Sequence, residues 1–297
     1  MPLVSVIIAF YNSQQFLKES VLSILSQDYH NLELLLMDDC STDLSATMAK
    51  QLMLQDNRIK YFCNHKNLGV AATRNRGIAM AQGKYIAILD SDDIALPHRI
   101  GTQVKFLQEN PHVFLAGSYY RLINKKGKIL KKVKLPTNWQ TIQKQITHFC
   151  PVWNGSVMFL NDKNTFYRNK FIYASDYDLW LRLVLQEKKM VNMPMVLTYY
   201  RNNYNSISYQ HKTKQKLFSL KAKEFYYQML KTQKDDYDSF NPDSVLNYNL
   251  EESSLKFILR LEIFASFFTL NKNKLKKLCL QYFKHHGFFN KIIIYYL

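Results

Sequence analysis

The segment Ile86-Ala87-Ile88-Leu89-Asp90-Ser91-Asp92-Asp93 decides how this chain is read. Four apolar residues run directly into three carboxylates within four positions. The apolar run fits a buried strand. Its acidic end then delivers like charges to one point at the rim of a sheet. Carboxylates that close repel unless a cation or a proton sits among them. Hard oxygen ligands with a gap between them suit Mg²⁺ or Mn²⁺. Such an ion takes one or two protein carboxylates and completes its shell with water and substrate phosphates. Taken alone, the D-x-D pattern of Asp90 to Asp92 also fits a solvated acidic turn, so the surroundings carry the argument.

Upstream, one pattern repeats. Leu3 to Phe10 (LVSVIIAF) is a buried strand. Asn12 and Ser13 are placed to cap a following helix, in which Phe16, Val21, Ile24 and Leu25 recur at helical spacing. Leu32 to Met37 is a second buried run and ends in Asp38 and Asp39. Ser41, Thr42 and Asp43 offer the next helix start. Ile59 to Cys63 is a short strand, Asn67-Leu68-Gly69 a turn, and a helix then runs to about Gln82, closed by Gly83. Strands alternating with helices predict βαβ units and a mostly parallel, Rossmann-like sheet. Right-handed crossovers bring the strand C-termini to one edge, where open α/β sheets bind ligands. Asp39 and the Asp90 cluster both fall on that edge.

These residues carry a resemblance. Val4-Ser5-Val6-Ile7-Ile8-Ala9-Phe10-Tyr11-Asn12, Asp38-Asp39-Cys40-Ser41-Thr42-Asp43, Asn67 through Gly77, and Leu89-Asp90-Ser91-Asp92-Asp93 resemble, in order and spacing, the successive motifs of family 2 glycosyltransferases. Ala174 through Leu183 resembles that family's later acidic motif. The similarity covers roughly residues 2–208. It implies a GT-A fold, a nucleotide-sugar donor, a divalent cation and inversion at the anomeric carbon. Two departures stand out. Ser175 occupies the position where the family often has Glu before the second acid, and Ala9 replaces the usual Pro after the first strand. Asp176 itself is kept.

The resemblance also implies roles. Phe10, Tyr11, Asn12, Asp39, Arg74, Asp90 and Ser91 would line the nucleotide, with Asp39 on the uracil or ribose. Asp92 would hold Mn²⁺ or Mg²⁺. Asp176 would be the base. Asn154, Trp180 and Arg201 are candidate donor or acceptor contacts. For Trp180 the alternative is a core residue, and for Arg201 a surface arginine. For Asp176 and Asp178 the bland alternative is the helix dipole, which favours acids in a first turn.

Composition bounds the rest. The chain has 297 residues and a formal net charge of +17. Residues 1–110 hold 10 Lys/Arg and 11 Asp/Glu, residues 111–208 hold 15 and 4, and residues 209–297 hold 15 and 8. The motif-bearing third is thus near neutral, which argues against a nucleic-acid partner. Cys40, Cys63, Cys150 and Cys279 form no C-x-x-C, so neither a zinc site nor a disulfide framework is expected. Reduced cytosol fits. Neither a signal peptide nor a transmembrane helix is expected, which places the protein in the cytoplasm or on the inner face of the membrane.

Residues 1–208 read as the GT-A domain, with a nucleotide-binding part (1–110) and an acceptor part (111–208). Ile94 to Glu109 reads as a helix with Pro97 near its start. Val113–Ile123 and Ile129–Leu135 flank a hairpin turn and carry Arg121, Lys125, Lys126, Lys128, Lys131, Lys132 and Lys134. These lysines read either as protection of an exposed edge or as contact with a phosphorylated acceptor or anionic lipid. Gly155–Leu160 and Met190–Tyr200 read as strands, Asp176–Gln186 as a helix, and residues 201–206 as a loop. Residues 209–297 form a basic, aromatic-rich helical region, in which Leu255, Ile258, Leu259, Leu261, Ile263 and Phe264 keep helical spacing. The end, Phe288 to Leu297, follows Lys276, Lys277, Lys284, His285 and His286. It suits packing within the protein, a membrane-interface anchor or an oligomer contact.

The chemistry expected is transfer of a hexosyl or N-acetylhexosaminyl group, from UDP in the first instance, to a glycan or lipid-linked acceptor in surface polysaccharide or lipopolysaccharide synthesis. Two other readings compete. A metal-dependent nucleotidyltransferase would want a Gly-rich phosphate loop after the first strand, and Phe10 to Gln15 contains no Gly. A non-enzymatic basic binding protein would want its positive charge on the motif-bearing third.

Overall fold

The computed structural model describes residues 1–203 and 210–247. Met1–Phe240 forms one compact unit. The second unit begins at Asn241, and its described part contains one short helix, Asp243–Leu246. The first unit therefore continues past residue 208.

Four strands set the frame: β1 (Val4–Phe10), β2 (Leu32–Asp38), β3 (Ile59–Cys63) and β4 (Tyr85–Ile88). All pair in parallel in the order β3-β2-β1-β4. The helices between them are α1 (Leu17–Leu25), α2 (Ser45–Gln55) and α3 (Val70–Met80). Val4, Val6, Ile8 and Phe10 share one face by the two-residue period of a strand and pack with Val21 and Ile24 of α1 and Leu52 of α2. Ile7 and Met37 face the other way, against α3. A Cβ on Gly77 would lie 2.9 Å from Ile7 Cγ2 and 3.1 Å from Met37 Cγ, so glycine lets α3 sit close to the sheet.

The chain order reverses beside β1. β2 and β3 lie on one side of it and β4 on the other. The crevice outside the carboxyl ends of β1 and β4 is the place such a sheet binds ligands. Phe10 pairs with Asp38, and the Leu89 amide donates to Ile7 O at 3.1 Å, so the loops beginning at Tyr11, Asp39 and Asp90 emerge level with one another.

The sheet then becomes mixed, through β8 (Met158–Leu160), β6 (Leu115–Ile123), β9 (Met190–Arg201) and β5 (Ile94–Ala95). β7 (Ile129–Val133) pairs with β6 alone. Helices α4 (Arg99–Glu109), α5 (Trp139–Gln145), α6 (Ser175–Leu185) and α7 (Lys212–Thr232) complete the unit. Phe218 and Phe225 of α7 pack with Phe171 and Phe240, ring centroids 5.6–6.3 Å apart, so these aromatics are core.

Several local expectations are corrected. Ile94 and Ala95 are not helical. They pair with Tyr199 and Thr198, because Pro97 biases the chain before it toward extended backbone and β9 offers a free edge. The helix starts at Arg99. Asn12 does not cap α1. It sits at φ 49° and its Oδ1 accepts from the Thr42 amide at 2.8 Å, joining the loops after β1 and β2. Gly155 lies in a 3-10 turn, Asn154–Ser156, ahead of β8. Leu255–Phe264 and the Phe288–Leu297 end lie outside the described residues.

Gly83 is corrected too. α3 ends at Met80, and Gly83 is not a left-handed cap. Its amide donates to Ser5 Oγ at 2.8 Å, and a Cβ there would meet Ser5 N at 2.5 Å and Leu3 O at 2.8 Å. Gly83→Ala is expected to destabilise the protein by about 1–3 kcal/mol, because rigid backbone must move aside. The measurement is the urea midpoint at unchanged slope. A wild-type midpoint would refute the crowding.

Candidate active site

The acidic loop after β4 is held from three sides. Arg74, projecting from α3, donates to Asp90 Oδ1 at 2.6 Å. The Ser91 hydroxyl meets Ser13 Oγ at 2.9 Å, and the Ser91 carbonyl accepts from Ser20 Oγ at 2.9 Å. Asp93 is fully buried and its Oδ1 accepts from the Arg201 amide at 2.8 Å.

Burial pushes the Asp92 carboxyl up to about 6, and the neighbouring Asp90 charge adds to the shift. Asp93 is raised as well, by burial and then by Asp92 and Asp90. Such shifts mark a place where positive charge is wanted. The residues fit a hard divalent ion on that ground. Among the described residues no group of three His, Cys, Asp or Glu is arranged to hold an ion alone. An ion here would rest on one or two carboxylates plus ligand phosphates, which is how Mg²⁺ and Mn²⁺ bind at phosphate sites.

Asp176 lies in the first turn of α6, near enough to the same arginine to feel its charge. Burial raises its carboxyl, and the Arg74 charge is the main opposing influence. Ala174, two residues earlier, sits at φ 56°. Asn12 (φ 49°) and Cys40 (φ 65°), in the loops after β1 and β2, are also left-handed non-glycine residues. Lys163, Glu187 and Gln233 are left-handed as well, so this backbone conformation is not confined to the site loops. Asp178, two residues further along the helix, differs. It is buried and paired with Arg182 at 3.0 Å and Arg168 at 3.6 Å, and Arg168 also holds Asp235 at 2.6 Å. Its role is to tie α6 to the segment after α7.

The other expected site residues divide. Asp39 faces the crevice, but both of its oxygens organise the loop ahead of α3. Oδ1 accepts from Asn64 Nδ2 and the Leu68 amide, both at 2.8 Å, and Oδ2 from the Gly69 amide at 2.9 Å. Tyr11 is 47% exposed at the rim, whereas Phe10 is core beneath it. Asn154 is buried and accepts from Tyr167 Oη at 2.8 Å. Trp180 is wholly buried and offers no face to a sugar; it belongs to the α6 core. Arg201 is 1% exposed, so it is neither a surface arginine nor free to meet a diphosphate. It donates to the Asp92 carbonyl at 2.8 Å, to Glu19 at 2.6 Å and to the Lys125 carbonyl at 3.1 Å. It braces the acidic loop.

Two groups of residues come to the site without a signal in the sequence. Tyr167 lies 5.5 Å from the Arg74 guanidinium. Tyr120, Trp153 and Tyr200 form a ring cluster with centroids 4.6–5.8 Å apart, and burial raises both phenols, with nearby anionic groups including Asp93 adding to it. These contacts depend on the β6–β9 pairing, which no local pattern announces.

The description "Glycosyl transferase family 2" matches residues 5–173. An uncharacterized glycosyltransferase of Haemophilus influenzae is 30% identical over 300 residues, covering 96% of this chain and 91% of that relative. Another, from Methanocaldococcus jannaschii, is 35% identical over 225 residues, 73% of this chain and 77% of its own. Among solved structures, S. aureus TarS 1-349 in complex with UDP superposes with TM-score 0.61 at 15% identity, covering 96% of this chain and 92% of that one. The mannosyltransferase PcManGT from Pyrobaculum calidifontis, in complex with GDP-Man and Mn²⁺, gives TM-score 0.61 at 16% identity, 97% and 76% of the two chains. The fold is therefore that of a GT-A glycosyltransferase. The chain belongs to glycosyl transferase family 2.

Proposed function

We propose that this enzyme is an inverting transferase that moves a sugar from a nucleoside diphosphate sugar, UDP-linked in the first instance, to a hydroxyl of a glycan or lipid-linked acceptor, in the synthesis of a surface polysaccharide or lipopolysaccharide. The observation that supports this reading is the bridge made by Arg74. It binds Asp90 at 2.6 Å, and its charge reaches Asp176, so the carboxylates to which the reading gives the metal and the base share one arginine. The UDP complex of TarS and the GDP-Man and Mn²⁺ complex of PcManGT support a nucleotide-sugar donor on this fold.

In this reading the acceptor oxygen attacks the anomeric carbon from the face opposite the diphosphate, and the bond to the diphosphate breaks. Asp176 takes the hydroxyl proton, which its raised carboxyl suits. Arg74 orients Asp90 and contributes positive charge beside the departing diphosphate. Asp92, with Asp90 beside it, would hold Mn²⁺ or Mg²⁺, which supplies neutralisation of the leaving phosphates. No protein acid is needed at the leaving group, unlike an inverting glycosidase, whose leaving group is an alcohol.

The test is slow donor hydrolysis across a panel of UDP- and GDP-sugars with Mn²⁺. Release of a nucleoside diphosphate from one of them is the expected result. Release of pyrophosphate from nucleoside triphosphate and sugar phosphate, with no donor hydrolysis, would overturn the reading.

A further inference from the structure

The β6–β7 hairpin is the most one-sided charge in the described chain. Residues 110–161 contain no Asp or Glu, while residues 121–134 hold seven cations. Lys126, Lys128, Lys131, Lys132 and Lys134 are exposed, and among the described residues no ion pair engages any of them. β7 pairs with β6 alone, so it is an edge strand with one side free. Lysines of this kind do protect free edges. Protection does not account for what sits between them. Ile129 is 43% exposed and Leu130 49% exposed, and neighbours along a strand point to opposite faces. An edge kept safe from association would not show aliphatic side chains on both faces. Cations interleaved with exposed aliphatic groups are instead the chemistry of a protein surface that lies on anionic lipid.

The hairpin is also fastened to the site. The carbonyls of Asn124 and Lys125, at its turn, accept from Arg201 Nη1 at 3.5 and 3.1 Å. The same arginine donates through Nε to the Asp92 carbonyl at 2.8 Å and through its amide to Asp93 at 2.8 Å. One buried side chain thus joins the basic turn to the acidic loop, and the two share a rim.

We propose that this hairpin is the enzyme's contact with an anionic bilayer, entering edge-on along the free side of β7, so that Lys126, Lys128, Lys131 and Lys132 meet the headgroups and Ile129 and Leu130, on opposite faces of the strand, both reach the acyl boundary. Charge complementarity names the occupant: a surface bearing lipid phosphates. Through Arg201 the contact places the catalytic crevice at the membrane. That this serves a lipid-linked acceptor rests on the function proposed above; the contact itself does not.

The experiment is sedimentation of the full chain with phosphatidylglycerol–phosphatidylcholine vesicles and with pure phosphatidylcholine vesicles, at low and high salt. The wild type is expected to bind the anionic vesicles, and to bind them less at high salt. Changing Lys126, Lys128, Lys131 and Lys132 together to Gln should weaken binding on the order of 10²-fold or more, while the same four changed to Arg should retain it. Ile129→Ser with Leu130→Ser should remove the part that survives high salt. The Gln variant leaves the cations of residues 209–297 in place, so vesicle binding equal to wild type would assign the contact there and overturn the proposal. Absence of wild-type binding, or equal binding to both vesicle types, would also overturn it. Donor hydrolysis without vesicles reports separately. A chain that hydrolyses donor and ignores anionic vesicles refutes the surface and leaves the function standing.

Discussion

Asp176→Asn is expected to lower the rate of sugar transfer by about 10²–10⁴-fold while donor binding persists. Amide and carboxylate have nearly the same shape, so the variant keeps the packing at the start of α6. An amide, however, cannot accept the acceptor's proton. Position favours Asp176 over Asp178, whose two arginine partners make it a structural anion. Asp178→Asn therefore serves as the contrast. It should lower the denaturation midpoint, whereas Asp176→Asn should not. The wild-type pH profile supplies a further check. Burial raises the Asp176 carboxyl, and a base works only when deprotonated. Activity should fall, as pH is lowered, at a higher pH than an ordinary carboxylate would give. The profile of residual Asp176→Asn activity should lack that limb. Near wild-type transfer by Asp176→Asn would place the base elsewhere.

Asp92→Ala should abolish Mn²⁺-dependent nucleotide binding and, with it, measurable transfer. Neutralising the departing diphosphate lowers the barrier by several kcal/mol, so the loss should be on the order of 10³-fold or greater. The fold should survive. The side chain of Asp92 accepts a long hydrogen bond from Asn203 at 3.4 Å, and its charge sits among like charges. The sign of the linkage follows. A carboxyl pushed up to about 6 binds protons more readily folded than unfolded. Its ionisation therefore costs the metal-free fold stability as pH rises from the ordinary carboxylate range through about 6. Alanine removes that cost, so at neutral pH and without metal the variant should melt no lower than the wild type. Calorimetric titration of Mn²⁺ with UDP is the deciding measurement. Metal-dependent binding as tight as wild type would remove Asp92 from the ion's shell.

The first four strands, their parallel pairing and the rim that carries Asp39 and Asp90 were legible in the sequence by itself, and the physical reason is local. β1, β2 and β4 are short, nearly unbroken apolar runs buried on both faces, and each runs into polar or charged residues. The hairpin was legible locally too, from the turn residues Asn124 to Lys128 between two strand-like runs. What lay beyond local pattern was partnership. Ile94 and Ala95 became a strand because β9 offered an edge, and β9 is a hundred residues away in the chain. Gly83 resembles a helix cap in sequence, but its need for no side chain comes from Ser5 and Leu3 lying against it. Trp180 and Arg201 have the residue types of ligand contacts, yet one fills the core of α6 and the other braces the acidic loop. The types of residue that can do the chemistry are written in the chain. Which of them face the crevice and which are buried as supports depends on long-range packing, and only the tertiary structure decides it.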